Sequence, residues 1–180
     1  MLTRESSMDS AYLILAGLCL IGLMIRNGYE LLKKRGRADV ENKVVFVVVF
    51  AAMVTMLATW PFVCALDPGR VVVPRGVRWV GLGMMAVGIA LAMGGMTQLR
   101  GVENIAHLVT TGLFSRLRHP MYTGFILWII GWVAVYGSMV SPVIGVVCIG
   151  SILYWRHLEE CALESHYGDD YRIYRRGTWC

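Results

Sequence analysis

The chain places its chemically active side chains near the ends of one long uncharged run in its C-terminal half. All four histidines lie in the last 74 residues, and Arg118 and His119 stand together where that run opens. Five acidic residues follow the run within a twelve-residue window: Glu159, Glu160, Glu164, Asp169 and Asp170. Cationic and acidic groups at one boundary could form charge-assisted hydrogen bonds with both charges of a zwitterionic ligand.

Plainer roles compete with this interpretation. Arg118 and His119 are also typical of a helix that is anchored at lipid headgroups. Ion pairs within the acidic helix would be solvated scaffolding, worth about 0.2–0.5 kcal/mol each. We expect no metal, because no recognised ligand spacing is present. The residues that come nearest to a metal-binding set are His157, Glu160, Glu164 and His166.

The elements that must position these side chains are membrane helices. The sequence is 57% hydrophobic and only 16% charged, which excludes a soluble enzyme. A span needs about 20 apolar residues, and the last of four uncharged runs is long enough for two spans with a break at Tyr136–Ser138. This predicts an all-α fold with five transmembrane helices, the last two a tight hairpin. The uncharged runs are Ala11–Ile25, Val44–Leu66, Trp79–Leu99 and His119–Trp155.

The ends of the chain lie outside these runs. The polar segment Met1–Ser10 is expected to be disordered. The last helix is predicted to continue into the cytoplasm as Arg156–Tyr167 and to stop at Gly168. Asp169 is predicted to cap a short final helix that ends near Arg176. We treat residues 1–180 as a single integral membrane domain, with the first three spans in 1–98 and the span hairpin and C-terminal helices in 99–180.

The basic residues predict an orientation. With the N-terminus outside, 13 of the 17 lysines and arginines are cytoplasmic and 4 are external. The positive-inside rule therefore favours an external N-terminus and a cytoplasmic C-terminus. The net charge of +5 is explained by topology and by contact with membrane lipids, so nucleic acid is not an expected partner.

The third run contains a stripe of small residues. Ala86, Ala90 and Gly94 recur at four-residue intervals, a spacing that lets a second helix approach closely. This predicts the packing face of the third span.

Two motifs in the C-terminal half give a family resemblance. The first is His107-Leu-Val-Thr-Thr-Gly-Leu-Phe114 followed by Arg118-His-Pro-Met-Tyr122-x-Gly124. The second is Glu159-Glu160-x-x-Leu163 followed by Tyr167-Gly-x-x-Tyr171-x-x-Tyr174. Together they resemble the isoprenylcysteine carboxyl methyltransferase and phospholipid methyltransferase family across residues 95–176.

This resemblance implies that the C-terminal half binds S-adenosyl-L-methionine without a Rossmann domain. It also implies methyl transfer to a lipid-like or prenylated acceptor that enters from the bilayer, most simply a prenylcysteine carboxylate. Phospholipid amine or thiol methylation on the same scaffold is the alternative. The cofactor-binding residues it implies are Gln98, His107, Leu108, Val109, Phe114, Arg118, His119, Tyr122, Glu159 and Glu160.

The sequence departs from the family pattern at two positions. Ala106 stands where a histidine is usual, and Trp155 stands where the family places a substrate-binding arginine. Arg156 is therefore the substrate-binding candidate, and no catalytic residue is assigned. Two other functions stay open at this point, a nicotinamide-dependent membrane reductase and a non-catalytic interaction module. The oligomeric state is left open.

Overall fold

The computed structural model describes residues 2–37, 42–99 and 108–179, with side chains from Met8 onward. These residues form six α-helices and one short 3-10 turn, so the all-α prediction is confirmed. The turn, Gly112–Ser115, precedes α4. The helices are α1 (Leu2–Lys34), α2 (Lys43–Ala65), α3 (Arg75–Leu99), α4 (Pro120–Tyr136), α5 (Ser141–Tyr167) and α6 (Asp169–Arg176).

Four of these helices are long and apolar enough to cross a membrane: α1 from Met8, α2, α3 and α5. The fifth apolar helix, α4, has only 17 residues. Large apolar side chains such as Leu13, Trp79 and Val143 are exposed on the outer faces of the bundle. An outer surface of this kind is stable in lipid and not in water, so the chain is an integral membrane protein.

The helix ends follow the predicted breaks with two corrections. Gly137 and Gly168 adopt positive φ and end α4 and α5, as their positions predict. The expected disorder of Met1–Ser10 is wrong from Leu2 onward, because α1 begins there and no Gly or Pro interrupts the segment. Asp169 does not cap α6. Gly168 takes the N-cap position, and Asp169 lies in the first turn of the helix.

Helices α3 and α4 pack antiparallel along a seam of glycines. A Cβ atom at Gly81 would lie 2.8 Å from the Gly131 carbonyl oxygen, and one at Gly88 would lie 2.7 Å from that of Gly124. The predicted packing stripe was wrong, because Ala86 and Ala90 are exposed. The seam repeats every seven residues, a spacing that keeps it on the one face of α3 that lies along the antiparallel α4.

Two tryptophans tie α4 to α2 through the bundle core. The indole N–H of Trp60 donates to the Ile129 carbonyl at 3.0 Å, and that of Trp128 donates to the Leu57 carbonyl at 3.2 Å. Trp60 is almost completely buried. Each bond satisfies an indole N–H that would be costly to leave unpaired in this apolar core.

Asp67 fastens the end of the bundle where α2 ends and α5 begins, which we call the far end. Its carboxylate accepts hydrogen bonds from the Ser141 hydroxyl and N–H, each at 2.5 Å, and from the N–H groups of Gly69 and Val140. Burial alone would raise the pKa of Asp67, but these bonds outweigh it and lower the pKa. The opposite end, where α4 begins and α5 continues beyond Trp155, is called the site end.

Candidate functional site

The loop before α4 is held against the end of α3. Gly112 adopts φ +63°, and a Cβ there would lie 2.7 Å from the Gln98 side-chain oxygen. That oxygen accepts the Leu113 N–H at 3.0 Å. Gln98, expected to contact a cofactor, is therefore placed where it fixes the conformation of the loop.

Arg118 joins the same loop to the C-terminal segment. Its Nη1 donates to the carbonyl oxygens of Arg175 at 2.8 Å and Thr178 at 3.5 Å, and its backbone N–H donates to that of Trp179 at 3.0 Å. Its Nε lies 3.4 Å from Glu160 Oε1. Arg118, which was predicted to bind the cofactor, therefore also fastens the C-terminal segment beside the site.

His119 brings the two sequence motifs into contact. Its Nε2 lies 3.1 Å from Glu160 Oε1, and its Nδ1 lies 3.8 Å from Glu159 Oε2. The imidazole is nearly buried, whereas the Glu159 carboxylate is 30% exposed. Residues 40 and 41 positions apart in sequence thus form one polar cluster where the start of α4 meets the C-terminal part of α5.

The His119 imidazole is neutral at physiological pH. Burial lowers its pKa to about 4, more than the Glu160 carboxylate raises it, and the charges of Arg156 and Arg118 lower it further. A neutral ring has one N–H, and the short contact assigns it to Nε2, which donates to Glu160. The ring therefore adds no positive charge to the cluster.

A narrow cleft lies beside this cluster. Its volume is only about 30 Å³. Phe114 forms part of an apolar side, and its carbonyl accepts the Tyr174 hydroxyl at 2.6 Å. Because α6 carries Tyr174, this bond closes one wall of the cleft. The lining residues are Leu99, Leu108, Val109, Phe114, Arg118, His119, Glu159, Leu163, Tyr171 and Tyr174.

Tyr171 places a hydroxyl in the cleft wall. The side chain is completely buried, and its Oη has no hydrogen-bond partner among the residues that the structure describes. Burial raises the pKa of Tyr171 to about 12, so the hydroxyl stays protonated. A buried hydroxyl without a partner costs about 1–3 kcal/mol, which a polar ligand could recover.

A larger cavity, the α1–α5 pocket, lies on the other side of Glu159. Its volume is about 440 Å³, and it shares Glu159 and Leu163 with the narrow cleft. One wall is the last turns of α1, and the other is α5 with Tyr122 of α4. Its lining residues are Glu30, Lys33, Lys34, Tyr122, Trp155, His157, Leu158, Glu159, Cys161, Ala162 and Leu163.

Trp155 stands at the base of this pocket, where the family arginine was expected. Its indole N–H donates to Asn27 of α1 at 2.7 Å, and the Arg26 guanidinium lies 5.2 Å from its ring centroid. Arg26 also forms a buried ion pair with Glu30 at 2.7 Å. An arginine therefore does approach this position, but α1 supplies it.

Most predicted site residues lie around the two cavities. Leu108, Val109, Phe114, Arg118, His119 and Glu159 line the narrow cleft, and Tyr122 lines the α1–α5 pocket instead. The remaining four are placed as follows: Gln98 accepts the Leu113 N–H, Glu160 contacts His119, Arg156 lines neither cavity but lowers the pKa of His119, and His107 lies outside the described residues.

Sequence reasoning missed the contribution of α1. Arg26 and Glu30 are spaced i, i+4 at the end of an apolar run, which was a usable signal for a buried ion pair. Lys33 and Lys34 were interpreted only as topology markers. Tyr171 and Tyr174 belong to the second motif, but nothing in their spacing predicted that they close the cleft. No group of three or more potential metal ligands occurs in the described parts of the chain.

Comparison with known families explains this arrangement of motifs. The phospholipid methyltransferase family model matches residues 77–170, just over half of the chain. The match contains α4, most of α3 and all of α5, and therefore the first motif and the Glu159-Glu160 part of the second, while Tyr171 and Tyr174 lie beyond it. The chain belongs to the phospholipid methyltransferase family.

A curated relative is similar over a shorter stretch. The protein-S-isoprenylcysteine O-methyltransferase of Schizosaccharomyces pombe is 35% identical over 75 residues, which are 38% of this chain. The matched part covers only 30% of that relative's length. No solved structure matches the chain. The first two helices lie outside the family match, so their role depends on the geometry alone.

Proposed function

We propose that this protein transfers a methyl group from S-adenosyl-L-methionine to a lipid-like acceptor at the membrane surface. The observation that carries the proposal is the contact between the two motifs. His119 and the glutamates of α5 form one polar cluster, and Glu159 of that cluster lines two adjoining cavities. Adjoining cavities are what a reaction between two bound molecules needs, because transfer depends on alignment and exclusion of water.

The narrow cleft suits the cofactor chemically. Phe114 and Leu163 offer apolar surface for a nucleobase, while Glu159 and the Tyr171 hydroxyl could bond ribose hydroxyls or an amino group. The bound cofactor would supply an electrophilic methyl group on a sulfonium. A volume of about 30 Å³ admits roughly one water molecule, so a cofactor-sized ligand requires outward movement of α6.

The α1–α5 pocket suits the acceptor. A volume of about 440 Å³ is within the usual range of small-molecule sites. A prenylcysteine carboxylate is ionised at neutral pH and needs no general base. An amine acceptor must lose a proton, and Glu159 is a carboxylate within both cavities that could receive it. A thiol would need the same assistance.

We further propose five membrane crossings, with the N-terminus outside and the site end in the cytoplasm. The 17 residues of α4 extend about 25 Å, close to the thickness of a bilayer core. Its glycine seam follows α3 from Gly81 to Gly95, so α4 reaches through the same depth as a span-length helix. The basic residues support this orientation.

The first test is titration of the detergent-purified protein with S-adenosylmethionine and S-adenosylhomocysteine by calorimetry. Wild-type protein should bind both saturably, and His119→Ala and Glu159→Ala should each weaken binding at least about tenfold. The matched controls are His166→Ala and Asp170→Ala, whose side chains are exposed and line neither cavity.

Folded wild-type protein that binds neither compound at millimolar concentration would contradict the proposal. The same preparation is then titrated with a nicotinamide dinucleotide. Binding there would favour a reductase, and its absence would favour a non-catalytic module. If the cofactor binds, radioactive methyl transfer to prenylcysteines and to amine phospholipids identifies the acceptor.

A further inference from the structure

We infer that Lys33 and Lys34 of α1 bind an anionic group of the acceptor, and so make α1 the specificity element of the α1–α5 pocket. That the bound molecule is the methyl acceptor rests on the proposed function, whereas the binding site itself follows from the position of α1. This helix lies outside residues 77–170, so nothing in the family match assigns it a role.

The two lysines lie where the pocket opens beside the last turn of α1. Both line the cavity, opposite the α5 side chains His157, Glu159 and Cys161. Lys33 is half-buried, with its ammonium 5.9 Å from the Tyr29 ring centroid, and Lys34 is exposed. Long lysine side chains at a membrane boundary reach towards the headgroup level, where an anionic group of a lipid would lie.

The charges of the pocket separate into two sides. On the α1 side, the lining carries one carboxylate, Glu30, which forms a buried ion pair with Arg26, and two ammonium groups, those of Lys33 and Lys34, so the formal charge of this side is positive. On the α5 side, Glu159 contributes a carboxylate beside a neutral His119. An anionic group is therefore stabilised against α1. In a phospholipid the amine that receives the methyl group would then face Glu159, whereas in a prenylcysteine the anionic carboxylate is itself the group that is methylated.

The rest of the lining selects an amphipathic molecule. Tyr122, Trp155, Leu158 and Leu163 cover the inner part of the pocket with apolar surface. A charged mouth over an apolar interior suits a lipid with an anionic headgroup. The carboxylate of a prenylated cysteine and the phosphate of a phospholipid share this chemistry, and both enter the test.

The test measures saturation binding of labelled lipids to the full chain in dodecyl maltoside, with no methyl donor present. The two probes with an anionic group, called the anionic probes, are N-acetyl-S-farnesylcysteine, which carries a carboxylate, and lysophosphatidylethanolamine, a zwitterion whose anionic group is its phosphate. Their uncharged counterparts are the farnesylcysteine methyl ester and a monoacylglycerol. The variants are Lys33→Gln/Lys34→Gln and Lys33→Arg/Lys34→Arg. Lys43→Gln is the matched control, because Lys43 is exposed at the start of α2 and lines neither cavity.

The glutamine pair should bind at least one anionic probe about tenfold more weakly or worse, with binding of the uncharged probes unchanged. The arginine pair should restore affinity, and Lys43→Gln should match wild type. The probe that loses affinity identifies the carboxylate or the phosphate as the recognised group.

Three results would overturn the inference. They are equal affinity of the glutamine pair and wild type for both anionic probes, an equal loss for the uncharged probes, and no saturable binding of either anionic probe to wild type. S-adenosylmethionine is titrated into the same preparations. Its failure to bind, with lysine-dependent lipid binding intact, would remove the methyltransferase proposal and leave the lysine site in place.

Discussion

The glycine seam between α3 and α4 leads to a prediction for Gly124→Ala. A Cβ atom at Gly124 would contact the Gly88 carbonyl oxygen and would lie 2.9 Å from the Ala92 nitrogen. Both are backbone atoms that no rotamer change can move, so the helices must separate by several tenths of an ångström or more. Overpacking of this kind costs about 1–3 kcal/mol.

The matched control is Gly83→Ala on the same helix pair. No atom of the described residues lies within 4 Å of a Cβ placed there, and Ala favours a helix over Gly by about 1 kcal/mol. We expect Gly83→Ala to be neutral or stabilising. For a chain of this size, 1 kcal/mol shifts Tm by about 2–4 °C. Because the propensity gain applies to both variants, Gly124→Ala should melt about 2–12 °C below Gly83→Ala.

The assay is thermal unfolding in detergent at one fixed scan rate, followed by calorimetric titration with S-adenosylhomocysteine. Cofactor binding should also weaken in Gly124→Ala, because α4 carries His119 and Tyr122 to the site. A Tm for Gly124→Ala equal to or above that of Gly83→Ala would refute the close packing on which the reasoning depends.

Three further predictions concern polar groups. Asp67→Asn should lower the free energy of unfolding by about 2–3 kcal/mol, because an amide cannot accept every bond from Ser141. In wild type, the stability that Asp67 contributes is present above its ordinary pKa and is lost as pH falls through its lowered native pKa. Melting curves recorded against pH would show this loss. His119 binds a proton from pH 6.5 downward in the unfolded state but only near pH 4 in the native state. The free energy of unfolding should therefore fall by up to about 3 kcal/mol between these two pH values. Subtracting the stability–pH curve of His119→Gln from that of wild type measures this fall. Tyr174→Phe removes the hydrogen bond to the Phe114 carbonyl and should weaken the docking of α6 by about 1 kcal/mol. We therefore expect faster tryptic cleavage in α6 with an unchanged global Tm.

Hydropathy predicted the elements of this fold better than their contacts. The breaks at Gly137 and Gly168 could be predicted because a glycine with positive φ ends a helix wherever that helix packs. The packing face of α3 could not be predicted from hydropathy, because the same apolar side chains pack equally well against lipid and against a neighbouring helix. Ala86 and Ala90 therefore looked like a seam, while the true contacts are made by Gly81 and Gly88.

The site shows the same division. The meeting of His119 with Glu160 followed from the order of two motifs around a helical hairpin. The position of Lys33 opposite α5 did not, because a basic cluster at a membrane boundary has a sufficient explanation in topology alone. The prediction that Arg118 binds the cofactor gave no sign that its Nη1 donates to the carbonyls of Arg175 and Thr178. Contacts across the tertiary structure decide such roles.

The fastening of α6 by Arg118 has a consequence for biosynthesis. The α1–α2 pair and the α3–α4 pair can each assemble soon after their helices enter the bilayer, since their partners are neighbours in sequence. The wall formed by Tyr171 and Tyr174 is translated after every span, and the Trp179 backbone that joins Arg118 is translated later still. In a nascent chain, the helical bundle can therefore form before the narrow cleft is complete. Premature termination after α5 would release a membrane-inserted protein that lacks this wall.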